Sequence, residues 1–320
     1  MKRVFDVVIP QGWRLDLPNT GAAEQYALIE SLAKRAEELG FQAAWLYDHF
    51  HTYPKIERSS VFEAWTTLTA LAKATSSIRL GVLVTCNSYR NPALLAKMAA
   101  TLDVISGGRL EFGIGAGWYE AEYKAFGYDF PGNATRIRML DEAVQIIKRM
   151  WVEDSVTFIG RYYRVEGALN YPKPLQKPRP RVLIGGAGES LTLRVVARHA
   201  DRWNTGGDPD TYQRKMEKLH NYLEEAGRKT SDVECTYHGI LIVEESDEKA
   251  LARLDRLGAE WGLQEPRELA KRNPIGSPEK VADYISRLYD IGVTRFMLYP
   301  LDAANSGKLE YISDEVLSQV

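Results

Sequence analysis

Three short runs of the chain combine side chains and backbone that could do chemistry. In Val182-Leu183-Ile184-Gly185-Gly186-Ala187-Gly188-Glu189-Ser190 a strand runs into glycines and then into a helix. Glycines permit a tight turn and let a ligand approach the main chain. The start of the next helix adds unpaired N–H donors and partial positive charge, and Ser190 adds a hydroxyl. This combination suits a phosphate; an ordinary strand-to-helix turn would use the same glycines. In Gly113-Ile114-Gly115-Ala116-Gly117-Trp118 the glycines are spaced G-x-G-x-G, not as in the dinucleotide fingerprint. At a strand's period of two they share one face, which either admits a flat ring system or packs densely. Tyr47-Asp48-His49-Phe50-His51 places a histidine beside a carboxylate just beyond a predicted strand. His49 there suits proton handling or polarisation, or it is a structural histidine bonded to the backbone. The H-x-H spacing also occurs in metal hydrolases, but the later strand ends supply no further histidine, so no metal site is expected.

A fourth run, Leu83-Val84-Thr85-Cys86-Asn87-Ser88-Tyr89-Arg90, ends a strand in polar groups. Arg90 can grip phosphate or carboxylate with two bonds, or anchor the following helix through a salt bridge. Cys86 has no evident activating partner and is not expected to be a nucleophile. The chain contains no P-loop, no G-x-S-x-G elbow and no zinc spacing.

These runs need a frame that brings them together, and the apolar patterning supplies one. Strands are predicted at 4–9, 43–47, 79–85, 110–114, 182–184, 201–204, 234–243 and 294–299. Helical spacing falls at 23–39, 61–75, 92–106, 136–151, 190–199, 209–226, 247–257 and 278–291. Eight strands alternating with helices imply a parallel sheet, and the count suggests a (β/α)8 TIM barrel; an open doubly wound sheet is the runner-up. Residues 152–180 break the rhythm with a predicted hairpin (156–159 and 162–165) and a stretch containing Pro172, Pro174, Pro178 and Pro180. In a barrel the site lies at the carboxyl ends of the strands, where all four runs fall.

Composition narrows the class. The chain has 320 residues, 45% hydrophobic and 26% charged, with 41 Lys plus Arg against 43 Asp plus Glu. These are ordinary values for a globular protein, and the near balance of charge gives no electrostatic case for nucleic acid. Two cysteines, Cys86 and Cys235, do not make a disulfide framework. Asp6 interrupts the apolar stretch after Met1-Lys2-Arg3, so no signal-peptide core is expected, and no apolar run reaches the ~18 residues of a spanning helix. A cytoplasmic protein without membrane or nucleic-acid partners is expected.

The runs AEELGFQAAWLYDHF, IRLGVLVTCNSYRNPALLAKMAATLDVISGGRLEFGIGAGWYEAEYKAFG and VLIGGAGESLTLRVVARHADRWN, in this order and spacing, resemble the luciferase-like monooxygenase superfamily, in its coenzyme F420-dependent oxidoreductase branch. The resemblance covers most of the chain and implies one luciferase-like TIM-barrel domain over residues 1–320, with the insertion near 152–180. It implies a flavin or deazaflavin at the carboxyl ends of the strands, and a bulge after the third strand with a non-prolyl cis peptide near Leu83–Val84. Gly185, Gly186, Ala187, Gly188, Glu189 and Ser190 match the family's phosphate-binding segment. Asp48 and His49 match its Asp-His pair, with His49 the catalytic group and Asp48 orienting it or touching the ring. Leu83, Val84, Thr85, Asn87, Arg90 and Gly115 complete the expected cofactor site, with Thr85 and Asn87 at the ring edge. Trp13, Tyr53 and Trp118 form the expected substrate wall.

Two departures bear on substrate. Trp118 stands where the branch's sugar-phosphate dehydrogenases carry a glutamate, which speaks against sugar-phosphate oxidation. Gly115 stands where luciferase has a cysteine, and Asp48 where it has a histidine, which speaks against light emission. The expected activity is hydride transfer between coenzyme F420 and a small organic substrate. The alternatives are an FMN-dependent monooxygenase, fed reduced flavin by a separate reductase, and a non-catalytic flavin-binding protein. A homodimer is expected by the same resemblance.

Overall fold

The computed structural model describes residues 3–320; Met1 and Lys2, part of the leader reading above, lie outside them. The alternation resolves into eight parallel strands: β1 (Val4–Val8), β2 (Ala43–Leu46), β3 (Arg79–Val82), β4 (Leu110–Gly115), β5 (Val182–Gly185), β6 (Arg202–Thr205), β7 (Glu234–Val243) and β8 (Arg295–Pro300). They pair in chain order, and β8 returns to β1 with Val4 opposite Arg295, closing the barrel. The open sheet is thereby excluded. Two apolar cores follow from strand alternation. Ala44, Leu46, Leu80 and Val82 face the helices, whereas Val8, Trp45, Leu183, Met297 and Tyr299 fill the barrel.

The helices begin where capping chemistry is present. Glu63 accepts the N–H groups of Trp65 and Thr66 ahead of Ala64–Ala74. Asn91 caps Pro92–Ile105, and Asp208 and Ser277 precede Pro209 and Pro278 at the starts of their helices. At the far end of Ala22–Glu38, the Glu37 carboxylate accepts the N–H groups of Ser76, Ser77 and Ile78, which lead into β3. Burial pushes this carboxyl up, but the three N–H groups outweigh it and hold it at about 2, against an ordinary 4.5. Its contribution to stability is complete above 4.5 and lost as pH falls through about 2. Glu37→Gln is expected to lower Tm at neutral pH, with the difference from wild type disappearing in melts towards pH 2.

Four elements depart from expectation. The strand predicted over 79–85 is split: β3 stops at Val82, the Leu83–Val84 peptide is cis, and Thr85–Cys86 pairs with β4 further along. The insertion's second strand is Arg164–Ala168, because Ile159 pairs with Arg164. Helices Glu120–Ala125 and Lys308–Glu315 were not predicted. The insertion reaches the loop that follows the split strand, where the Tyr163 hydroxyl accepts from Asn87 at 3.0 Å. Among the described residues no helix is long and apolar enough to cross a membrane.

Candidate active site

A cavity of about 490 Å³ opens at the carboxyl ends of the strands. It is lined by Trp13, Asp48, His49, Leu83, Val84, Thr85, Gly115, Trp118, Gly185, Gly186, Ala187 and Gly188 among the expected residues. Tyr53 joins this wall through its rings: it stacks on Trp13 at 5.7 Å and meets Trp118 edge-on at 5.2 Å. Asn87, Arg90, Glu189 and Ser190 do not line the cavity.

Three of those four absences have a visible cause. The Arg90 guanidinium donates to both Asp48 oxygens, at 2.6 and 2.9 Å, and to Glu63 at 2.8 Å. It therefore ties the end of β2 to two helix starts, the structural alternative of the sequence reading. Glu189 is drawn outward by Arg214 and Lys218, each at 2.6 Å. Asn87 donates to Tyr163.

The carboxylate that holds His49 is not Asp48. Asp48 is taken by Arg90 and by the Cys86 N–H at 2.8 Å. Glu122, fully buried on the unpredicted helix Glu120–Ala125, lies 2.9 Å from His49 Nδ1. It also accepts the N–H groups of Phe50 and His51, at 2.6 and 2.8 Å, and the Tyr89 hydroxyl at 2.8 Å. Burial pushes the Glu122 carboxyl up, but His49 and these backbone donors outweigh it and hold it below the ordinary carboxylate range. An ionised Glu122 can only accept, so it faces Nδ1–H. Nε2 then remains without a partner among the described residues, on a ring that lines the cavity. Trp13 stacks flat on that ring at 4.3 Å and 5°, which fixes its plane. Tyr89 and Cys86 also line the cavity.

The glycines of β4 serve packing. A Cβ on Gly115 would sit 2.7 Å from Val84 Cγ2, and one on Gly185 2.9 Å from Val84 Cγ1. The slot between β4 and β5 is thus filled by the side chain that follows the cis peptide, and Val84 itself faces the cavity. Opposite, the turn after β5 presents donors. The Gly186 N–H is used by the Asn204 carbonyl, but the N–H groups of residues 187–192 find no acceptor among the described residues. Ala187, Gly188 and Thr192 line the cavity there, at the start of the helix Leu191–His199. A phosphate fits such a set of donors. Thr85 Oγ1 is a further buried polar atom with no partner among the described residues, in the cavity wall.

Cys86 Sγ lies 3.0 Å from the Tyr123 hydroxyl, and burial pushes its thiol up to about 12; burial does the same to Cys235. Both thiols are expected to resist iodoacetamide in the folded protein at pH 8 and to react on unfolding, as read by mass spectrometry. Among the described residues, no group of three or more His, Cys, Asp or Glu is placed to hold a metal.

A closed (β/α)8 barrel with a split third strand, a histidine–carboxylate pair and an anion-ready turn after β5 defines a class of barrel enzymes that hold a phosphate-bearing cofactor. The chain belongs to the luciferase-like monooxygenase family, whose model matches residues 7–295. It is 32% identical over 275 residues to an F420-dependent glucose-6-phosphate dehydrogenase of Kineococcus radiotolerans, covering 84% of this chain and 80% of that protein. It is 26% identical to an FMNH(2)-dependent dimethylsulfone monooxygenase of Pseudomonas putida, covering 82% of this chain and 79% of that one. A solved F420-dependent secondary alcohol dehydrogenase, in complex with an F420-acetone adduct, superposes with a TM-score of 0.85 over 100% of both chains at 21% identity, a likeness of fold.

Proposed function

We propose that this protein transfers a hydride between coenzyme F420 and a small organic substrate, with His49 moving the substrate's proton. The observation that carries the reading is the His49–Glu122 pair on a cavity whose opposite wall is a turn of free N–H groups. The F420-dependent relatives support the cofactor. Ala187, Gly188 and Thr192 would hold its phosphate, and Thr85 a polar edge of its ring. Leu83, Val84, Gly115, Gly185 and Gly186 would complete its wall, with Asn87, Arg90, Glu189 and Ser190 supporting from behind. When bound, the deazaflavin supplies the hydride chemistry. His49 Nε2 gives a proton to, or takes one from, the substrate atom beside the reacting carbon, while Glu122 holds Nδ1–H and so keeps Nε2 aimed at that atom. Asp48 acts through Arg90 by fixing the loop that carries Thr85. Trp13, Tyr53 and Trp118 exclude water and provide an aromatic face for the substrate.

Trp118 is 51% exposed at the mouth and offers no carboxylate, so the substrate class proposed is alcohols, enones and imines, not sugar phosphates. The second reading, an FMN-dependent monooxygenase with a separate reductase, draws on the dimethylsulfone monooxygenase relative. We place the protein in the cytoplasm, as a homodimer of single-domain chains.

Titration of cofactor-free protein with F420 and with FMN, followed by tryptophan fluorescence, tests the reading. Selective binding of F420, and its turnover with one of the three substrate classes, is expected. Selective binding of FMN would transfer the case to the monooxygenase, and binding of neither would overturn both.

A further inference from the structure

The cavity contains a second polar station that the role of His49 leaves unused. On β7 the residues Thr236, His238 and Ile240 alternate towards the barrel interior, and His238 and Tyr47 both line the cavity. His238 Nδ1 lies 3.0 Å from the Met297 carbonyl oxygen, and Nε2 lies 3.0 Å from the Tyr47 hydroxyl. A carbonyl can only accept, so Nδ1 carries the proton. Burial, with Arg14 adding to it, pushes the imidazole down to about 4 against the Met297 carbonyl. At neutral pH Nε2 is therefore bare and accepts the Tyr47 proton. Burial keeps the Tyr47 phenol protonated, and that single proton is committed to His238. What Tyr47 has left to offer is a pair of oxygen lone pairs.

The neighbours do not fill that capacity. Tyr299 packs edge-on against Tyr47 at 5.3 Å but gives its own hydroxyl proton to Asp16. Arg14 spreads over the rings of Trp13, Tyr53 and Trp261. No second donor reaches the Tyr47 oxygen among the described residues. Trp13 touches both stations, with its ring 4.5 Å from Tyr47 and 4.3 Å from His49. The two stations therefore flank one indole.

We propose that Tyr47, held by His238, is a hydrogen-bond acceptor that selects substrates carrying a hydroxyl or N–H group about one aromatic ring away from their reacting carbon. This rests on the proposed function for the place of the reacting carbon. A substrate with an ether or carboxylate oxygen at that point would meet lone pairs and be disfavoured.

The test uses the full chain without cofactor and two probes, 4-hydroxyacetophenone and 4-methoxyacetophenone, with binding read by tryptophan fluorescence. The hydroxy probe is expected to bind about tenfold more tightly, the size of one neutral hydrogen bond. Tyr47→Phe is expected to abolish the difference. His238→Leu frees the Tyr47 proton for donation and is expected to bring the methoxy probe to parity. Equal affinities in wild type, no binding of the hydroxy probe, or a preference that survives both substitutions would overturn the proposal. Because no cofactor is present, a preference found here without F420 turnover would sink the hydride-transfer reading alone. F420 turnover without the preference would sink this one alone.

Discussion

Replacing His49 with alanine is expected to lower F420-coupled turnover by about 10²–10⁴-fold, the range for losing a general acid–base group. Binding of F420, followed by tryptophan fluorescence, should persist, because the free N–H groups at residues 187–192 and Thr85 stay in place. Glu122→Gln provides the sharper comparison. Glu122 accepts from His49, Phe50, His51 and Tyr89. A glutamine that keeps its oxygen on the Phe50 and His51 N–H groups turns its NH2 on Tyr89 and on His49 Nδ1, which must then accept, so the ring proton moves to Nε2 or the ring turns away. The imidazole would lose its fixed tautomer or its fixed orientation, and kcat would fall by about 10–100-fold, as when carboxylates that orient other functional imidazoles are removed. Exogenous imidazole should restore part of the activity of His49→Ala and none of that of Glu122→Gln, where the ring is present but in the wrong tautomer or misaimed. Full turnover in His49→Ala with cofactor still bound would remove His49 from the chemistry. A Glu122→Gln enzyme with wild-type kcat would show that Trp13 stacking alone suffices to hold the ring.

That the histidine was legible and its carboxylate was not has a physical reason. His49 follows a strand, and strand ends in a barrel mark the site whatever the loop contains. Glu122 lies on a helix of six residues, too short to show periodicity, and meets His49 across 73 positions of chain. Asp48, next to His49 in sequence, points instead to Arg90, and nothing local signals the exchange of partners. The eight strands were legible because alternating inward and outward faces leave a pattern within each run. The same pattern exposes His238: counting by twos from Thr236 puts it on the barrel's inner face, a signal masked by the apolar run that follows. The β4 glycines were readable as a close approach but not by what. Val84, delivered by the split in β3, is the group that approaches.

At the opposite end of the barrel, Glu111→Ala is expected to cost about 3–5 kcal/mol, the penalty for breaking a buried ion pair from one side. The inward-facing residues there are charged. Glu111 on β4 pairs with Arg79 on β3 and Arg202 on β6, and lies 3.6 Å from Arg295 on β8. Arg295 binds Asp6 on β1 at 2.6 Å, and Arg202 binds Glu234 on β7 at 2.8 Å. Six of the eight strands thus meet at one charge network, with Glu111 at its centre. Removing it leaves Arg202 and Arg295, both buried, facing each other with one carboxylate fewer. Burial pushes the Glu111 carboxyl up, but Arg202, Arg295 and Arg79 outweigh it and hold it below its ordinary value. Its stabilisation is therefore present above the ordinary carboxylate pKa and is lost as pH falls through the lowered one. Urea denaturation at neutral pH should show the full difference between wild type and Glu111→Ala, and at low pH the two midpoints should converge. Salt should change the neutral-pH difference little, because buried pairs are weakly screened. A loss below about 1 kcal/mol, the scale of an exposed pair, would mean that water reaches this end of the barrel and that the closure is held by the strands alone.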